Sequence, residues 1–131
     1  MSFLIDTNIF IYARDGVEAV LKKFEQHAGL VAISALSLAE LQRGIHPAQK
    51  IPSLRLERHR ALVERIVIMD FDVAAAKAYG LIIDAIGRVK SRDVDHMIAA
   101  HALSVGATFV TNNVADFAGI PNLDVENWTV P

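Results

Sequence analysis

Short, continuously apolar runs alternate with stretches of helical periodicity along the whole chain. Phe3-Leu4-Ile5, Leu30-Val31-Ala32-Ile33, Ile66-Val67-Ile68-Met69 and Thr108-Phe109-Val110-Thr111 read as strands, and Leu123-Asp124-Val125 as a last short one. Between them, Val17 to His27 places Val17, Val20, Leu21 and Phe24 on one helical face, and Ser37 to Gly44 carries Leu38 and Leu41 ahead of a glycine stop. Pro52-Ser53 opens a helix from Leu54 to Arg65, Asp72 caps one running to Gly87, and Ser91 or Asp93 starts another that ends at Gly106. Asp6-Thr7-Asn8 reads as turn and N-cap residues, and a short helical turn follows Asn112-Asn113. Strands with no polar alternation need both sheet faces covered, so the pattern predicts an α/β fold with a central parallel sheet between helices. Ligands in such folds sit beyond the carboxyl ends of the strands, which makes the residues after each strand the candidates for chemistry.

Composition narrows the class. A chain of 131 residues without a linker, repeat or composition break is expected to form one domain over 1–131. A hydrophobic content of 53% excludes a disordered chain. The absence of cysteine removes disulfides, thiolate zinc sites and cysteine nucleophiles, and is compatible with a cytoplasmic location. No leader is expected, because Asp6 interrupts the first apolar run. Residues 96–115 carry no Asp, Glu, Lys or Arg, yet hold His96, His101, Asn112 and Asn113, so this reads as the centre of a soluble core and not as a membrane span. The overall net charge of −2 hides a separation. Six basic residues from Arg43 to Arg65 face only Glu57 and Glu64, a local net of +4, whereas after Arg92 five acidic residues stand alone.

Asp6 directly follows an apolar strand, which puts a carboxylate at the ligand-binding edge. Asn8 and Asn112 read first as helix caps. Ser37-Leu38-Ala39-Glu40 has capping-box spacing, so Glu40 either bonds back to its own helix start or faces the same edge as Asp6. Asp95 extends the line of Ile98, Ala99 and Ala102, where a carboxylate is costly unless paired or metal-bound, while Asp93 suits an N-cap. Carboxylates about 4 Å apart repel by roughly 4 kcal/mol at an effective dielectric near 20, so several in one crevice call for a cation. With no Cys, and with His96 and His101 five residues apart, the donors are oxygens, which select Mg²⁺ or Mn²⁺.

Leu4-Ile5-Asp6-Thr7-Asn8, Ser34 to Leu41 with Glu40, Asp95-His96-Met97-Ile98-Ala99-Ala100-His101-Ala102, Val110-Thr111-Asn112-Asn113 with Asp116-Phe117, and Val125-Glu126-Asn127-Trp128 together resemble the PIN domain, and within it the VapC-type toxins of toxin–antitoxin pairs. The resemblance spans nearly the whole chain. It implies a three-layer α/β/α sandwich and a metal-dependent endoribonuclease that inhibits translation. Asp6, Glu40 and Asp95 match the family's principal acidic positions and are the implied catalytic residues. Asp6 and Asp95 would hold Mg²⁺ or Mn²⁺, Glu40 would contact it directly or through water, and the fourth acidic position falls on Asn113, with Asp116 as substitute. Thr7, Asn8, Thr111 and Asn112 would orient ligands or water. Arg43, Arg55, Arg58, Arg88, Lys90 and Arg92 are the basic residues available to RNA phosphates. The resemblance also implies a homodimer, a VapB-type antitoxin, a tRNA or rRNA substrate, and contact with DNA only through the antitoxin.

Two other readings compete. A phosphoaspartyl hydrolase also sets Asp after its first strand, but needs a second Asp two residues on, where this chain has Asn8. A non-catalytic PIN-like module within an antitoxin–DNA complex would keep the fold without the chemistry.

Overall fold

Five parallel strands and six helices make up the computed structural model, which describes residues 2–131. The strands are β1 (Phe3–Ile5), β2 (Val31–Ser34), β3 (Val67–Met69), β4 (Thr108–Val110) and β5 (Val125–Glu126), in the order β3-β2-β1-β4-β5. The helices are α1 (Thr7–Arg14), α2 (Glu18–Gln26), α3 (Ala35–Gly44), α4 (Ser53–Arg65), α5 (Val73–Ile86) and α6 (Asp93–Val105). The pairing register is Leu4 opposite Ala32 on one side of β1 and opposite Phe109 on the other.

The pleat of β1 explains the three layers. Phe3 and Ile5 point into one core with Ile9, Phe10, Val20, Leu41 and Trp128, so α1 to α4 lie on that face. Leu4 points the other way, into a core with Ala78, Ile82, Ile98 and Phe109 supplied chiefly by α5 and α6. An α/β/α sandwich results. The alanines at 99, 100 and 102 are fully buried and let α6 lie close against its neighbours. Gly106, at φ +67°, ends α6 in the left-handed region and turns the chain into β4.

From β1 the chain steps outward to β2 and β3, then returns to the far side of β1 for β4 and β5. The order therefore reverses between β1 and β4. At that switch point the connections leave in opposite directions and open a crevice above the strand ends.

Several expectations are corrected. Residues 7–14 form a helix the pattern does not signal, because Thr7 and Asn8 are poor helix formers and the segment is only eight residues long. Its start is capped by Asp6. Helix α3 begins at Ala35, two residues before Ser37, because Ser34 is its cap and accepts from the Leu36 amide at 3.1 Å. The sheet is not covered on both faces throughout: β3 is an edge strand bordered only by β2, and Val67 is 54% exposed. A short 3-10 turn at Pro47–Gln49 was also not signalled.

Candidate active site

Asp6 leaves β1 at the switch point and caps α1. Its carboxylate accepts from the Ile9 amide at 2.9 Å, and the Thr111 hydroxyl, just beyond β4, bonds to it as well. Thr111 in turn accepts from the Asn113 amide at 3.1 Å, so one fully buried hydroxyl ties the loop after β4 to Asp6. Burial raises the Asp6 carboxyl above its ordinary value; the bonds from Thr111 and Ile9 pull it down, and the charges of Asp95 and Glu40 push it further up. Three elements thus bring negative charge to the same edge.

Glu40 reaches this edge from the second turn of α3. The Thr7 hydroxyl donates to Glu40 Oε1 at 2.6 Å and lies 3.0 Å from Ser37 Oγ. A hydroxyl has one proton to give, so Thr7 serves the carboxylate and can accept from the buried Ser37. The capping-box alternative for Glu40 is thereby excluded: Ser34 caps the helix, and Ser37 and Glu40, one turn apart, both face Thr7. That i, i+3 pairing on one helical face was the signal for Ser37 as a site residue. The other Glu40 oxygen lies 3.7 Å from the exposed Arg43.

Asp95 stands in the first turn of α6. Unlike Ile98, Ala99 and Ala102, it is exposed, so the expected continuation of the buried stripe stops one turn short. Partial desolvation and the nearby Glu40 charge still raise its carboxyl, with Asp116 adding to the rise and His96 and Arg92 opposing it. Asp93 is the first residue of α6 and not its cap. It accepts from Tyr79 and is bridged by Arg88 at 2.5 Å, which holds its carboxyl below the ordinary value.

Asn8 is exposed on α1 and caps nothing. Asn112 is half-buried, and its amide oxygen is buried without a partner. Asn113 is exposed at the start of a 3-10 turn, Val114–Phe117, in which Asp116 pairs with Arg92 at 3.4 Å. His96 and His101 are buried core residues, each edge-on to a phenylalanine.

The donor set suits a hard divalent cation. It is all oxygen, and among the described residues no Lys or Arg forms an ion pair with Asp6 or Asp95. No three His, Asp or Glu side chains among the described residues form a ready-made cage. Mg²⁺, which keeps several waters and needs few protein ligands, fits such an open set. The basic residues divide by place. Arg43 and Arg92 stand beside the acidic edge, whereas Arg55 pairs with Asp15 at the far end of α1, roughly 12 Å along its axis. Arg58 lines a hollow of about 280 Å³ there with Arg14 and Arg65.

The model of the PIN domain matches residues 3–122. The chain belongs to the PIN domain family. Within that family it is 35% identical to a tRNA(fMet)-specific endonuclease VapC of Shigella flexneri, with 98% of this chain and 99% of the relative covered. It is 34% identical to a ribonuclease VapC2 of Rickettsia felis, with 98% of each chain covered. This PIN domain also superposes on the crystal structure of VapBC2 from Rickettsia felis bound to a promoter DNA fragment, with a TM-score of 0.82, 33% identity, and 98% and 99% of the two chains covered. For DNA-bound VapBC from Salmonella typhimurium the TM-score is 0.81 at 28% identity, over 98% of each chain. No helix among the described residues is long and apolar enough to cross a membrane.

Proposed function

We propose that this PIN domain is a Mg²⁺- or Mn²⁺-dependent endoribonuclease, the toxin of a toxin–antitoxin pair, which inhibits translation by cutting a tRNA or rRNA. The observation that carries the reading is the desolvated Asp6 at the switch point, crowded by the charges of Glu40 and Asp95 with no ion-pair partner among the described residues. Kinship with a tRNA-specific endonuclease over nearly the whole chain supports the substrate class.

Asp6 and Asp95 would hold the ion, and Glu40 would contact it directly or through water. A bound divalent cation supplies a water of lowered pKa and polarises the phosphodiester. The chain itself does the positioning. Asp6 is fixed by the Ile9 amide and the Thr111 hydroxyl, and Glu40 is aimed by Thr7, so neither carboxylate has to be ordered when RNA arrives. Asn113 and Asp116 are further candidate ligands, and Asn112 offers a carbonyl oxygen without a partner. Asn8 faces solvent and could take part only from the rim. Arg43 and Arg92 stand beside the acidic edge, where flanking phosphates would approach, and Lys90 is exposed in the turn just before Arg92; Arg55 and Arg58 would meet RNA only well beyond the cut, and Arg88 is held by Asp93. A VapB-type antitoxin and a second copy of this chain are the proposed partners, with DNA reached through the antitoxin; both VapBC structures are complexes with DNA.

Incubating purified protein with bulk tRNA tests the reading. Cleavage is expected with Mg²⁺ or Mn²⁺ and not in excess chelator, and Asp6→Asn or Asp95→Asn should abolish it while the fold survives. Undiminished cleavage in chelator would falsify the metal assignment. The DNA bound in both VapBC structures favours one alternative, a non-catalytic module of an antitoxin–DNA complex. It predicts no hydrolysis of any RNA together with intact assembly on antitoxin and DNA.

A further inference from the structure

The acidic edge poses a problem for a ribonuclease, on whose assignment this inference rests. RNA is an anion, and a cluster of carboxylates repels it unless positive charge offsets them; a divalent ion does so at the centre, and cationic side chains do so at the rim. Among residues 88–92 the structure separates the basic side chains sharply. Arg88 is locked into the junction of α5 and α6 by bonds to both Asp93 oxygens, the shorter at 2.5 Å, and Tyr79 shares that carboxylate. Lys90 is exposed in the 3-10 turn before α6. Arg92 is different: it sits at the start of α6, near enough to Asp95 for its charge to be felt there, and makes one long contact to Asp116 at 3.4 Å.

The two partners of that contact are mounted differently. Asp116 is carried on a turn pinned by the buried Phe117, whose ring packs edge-on to Phe109 at 4.8 Å and to His96 at 5.7 Å. The Asp116 amide also donates to the Asn113 carbonyl at 3.0 Å. Its backbone is therefore held in place, and its carboxylate is carried on a fixed point. The Arg92 side chain is 45% exposed, and a single, partly solvated contact of this kind is readily exchanged. A guanidinium prefers a phosphate that it can grip with two donors over one distant carboxylate oxygen.

We propose that Arg92 is a substrate-phosphate contact, kept beside the site by Asp116 and transferred from that carboxylate to an RNA phosphate when RNA binds. Asp116 is thus a placeholder anion: it fixes where the guanidinium waits, and it competes with RNA for it.

A double-mutant cycle in chelator tests this without any cleavage. The probe is a fluorescein-labelled single-stranded RNA of mixed sequence, followed by anisotropy over a range of salt. Arg92→Gln should weaken binding about three- to tenfold and lower the slope of log K against log salt by about 0.7, the loss of one phosphate contact. Arg92→Lys should recover part of the affinity. Asp116→Asn should tighten binding, and most of that gain should vanish in the Arg92→Gln background. Lys90→Gln, an exposed charge in the same turn, should show no such coupling to Asp116. Thermal melts establish that each variant is folded. The proposal is overturned if Arg92→Gln binds RNA like the parent protein, if the Asp116→Asn gain persists in full without Arg92, or if the parent protein binds no RNA. Failure of metal-dependent cleavage alongside intact coupling would instead count against the nuclease reading alone.

Discussion

Asp6 shows most plainly how a single side chain is held in tension. Its carboxyl is raised by burial first, then by Asp95 and Glu40, against the help of Thr111 and Ile9. A raised folded-state value means that the native protein holds this proton more tightly than the unfolded chain, whose ordinary value is 3.8. The stabilisation is complete below 3.8 and is lost as pH rises through the folded-state value, so at neutral pH the ionised group is a burden. Asparagine keeps the cap and removes the charge. Asp6→Asn should therefore abolish cleavage yet raise stability at pH 7 by about 0.5–2 kcal/mol, a gain that shrinks as pH falls toward 3.8 in melts across a pH series. Thr7→Val tests the other half of the arrangement. It frees Glu40 and Ser37 and should cost cleavage on the order of 10–100-fold with little change in melting temperature, as for a group that aims a ligand. Asp6 and Asp95 were legible in the sequence because one follows a strand and the other stands in the first turn of a helix, and Glu40 because its helix follows β2. Their supports were not. The bond from Thr7 to Glu40 joins residues 33 apart, and only the sheet order brings them together.

Element boundaries were readable where chemistry marks them. Asp72 caps α5, Gly106 closes α6, and four strands fall within one residue of the apolar runs. Misreadings arose where a side chain had two plausible partners. Ser37 and Glu40 have the spacing of a capping box, but Ser34 takes the cap because the chain turns into α3 directly from β2, leaving the later pair free to face α1. Asp93 resembles a cap as well, but Tyr79, from the middle of α5, and Arg88, just past its end, claim it and join α5 to α6. Tyr79→Phe should lower the melting temperature and, by loosening the start of α6, reduce cleavage more than it affects binding of RNA in chelator. Separate measurements of melting, cleavage and anisotropy check this. An unchanged melting temperature with unchanged cleavage would show that the junction is not held by that hydroxyl.

At the scale of the molecule, two cores clamp a short sheet, and the C-terminal segment completes one of them. Trp128 is fully buried, 5.3 Å from the Phe3 ring and stacked on His27 at 5.8 Å, with its indole N–H donating to Glu126 at 3.2 Å. A Trp128→Ala variant should lose about 3–5 kcal/mol in denaturant melts, and activity should fall with folded fraction and not through the site. The parallel three-layer design was legible from strands lacking polar alternation, but the exposed edge at β3 was not, because periodicity does not reveal which strand ends up outermost. The sheet order itself was also hidden, and it is the order that reverses at β1 and β4 and sets Asp6 beside Thr111. The central claim is that this reversal assembles an oxygen-only centre for a divalent cation. Crystals soaked in Mn²⁺ and recorded at the manganese absorption edge test it most directly. The account predicts an anomalous peak between the carboxylates of Asp6 and Asp95 that disappears in Asp6→Asn; a peak confined to other residues, or none at millimolar Mn²⁺, would contradict it.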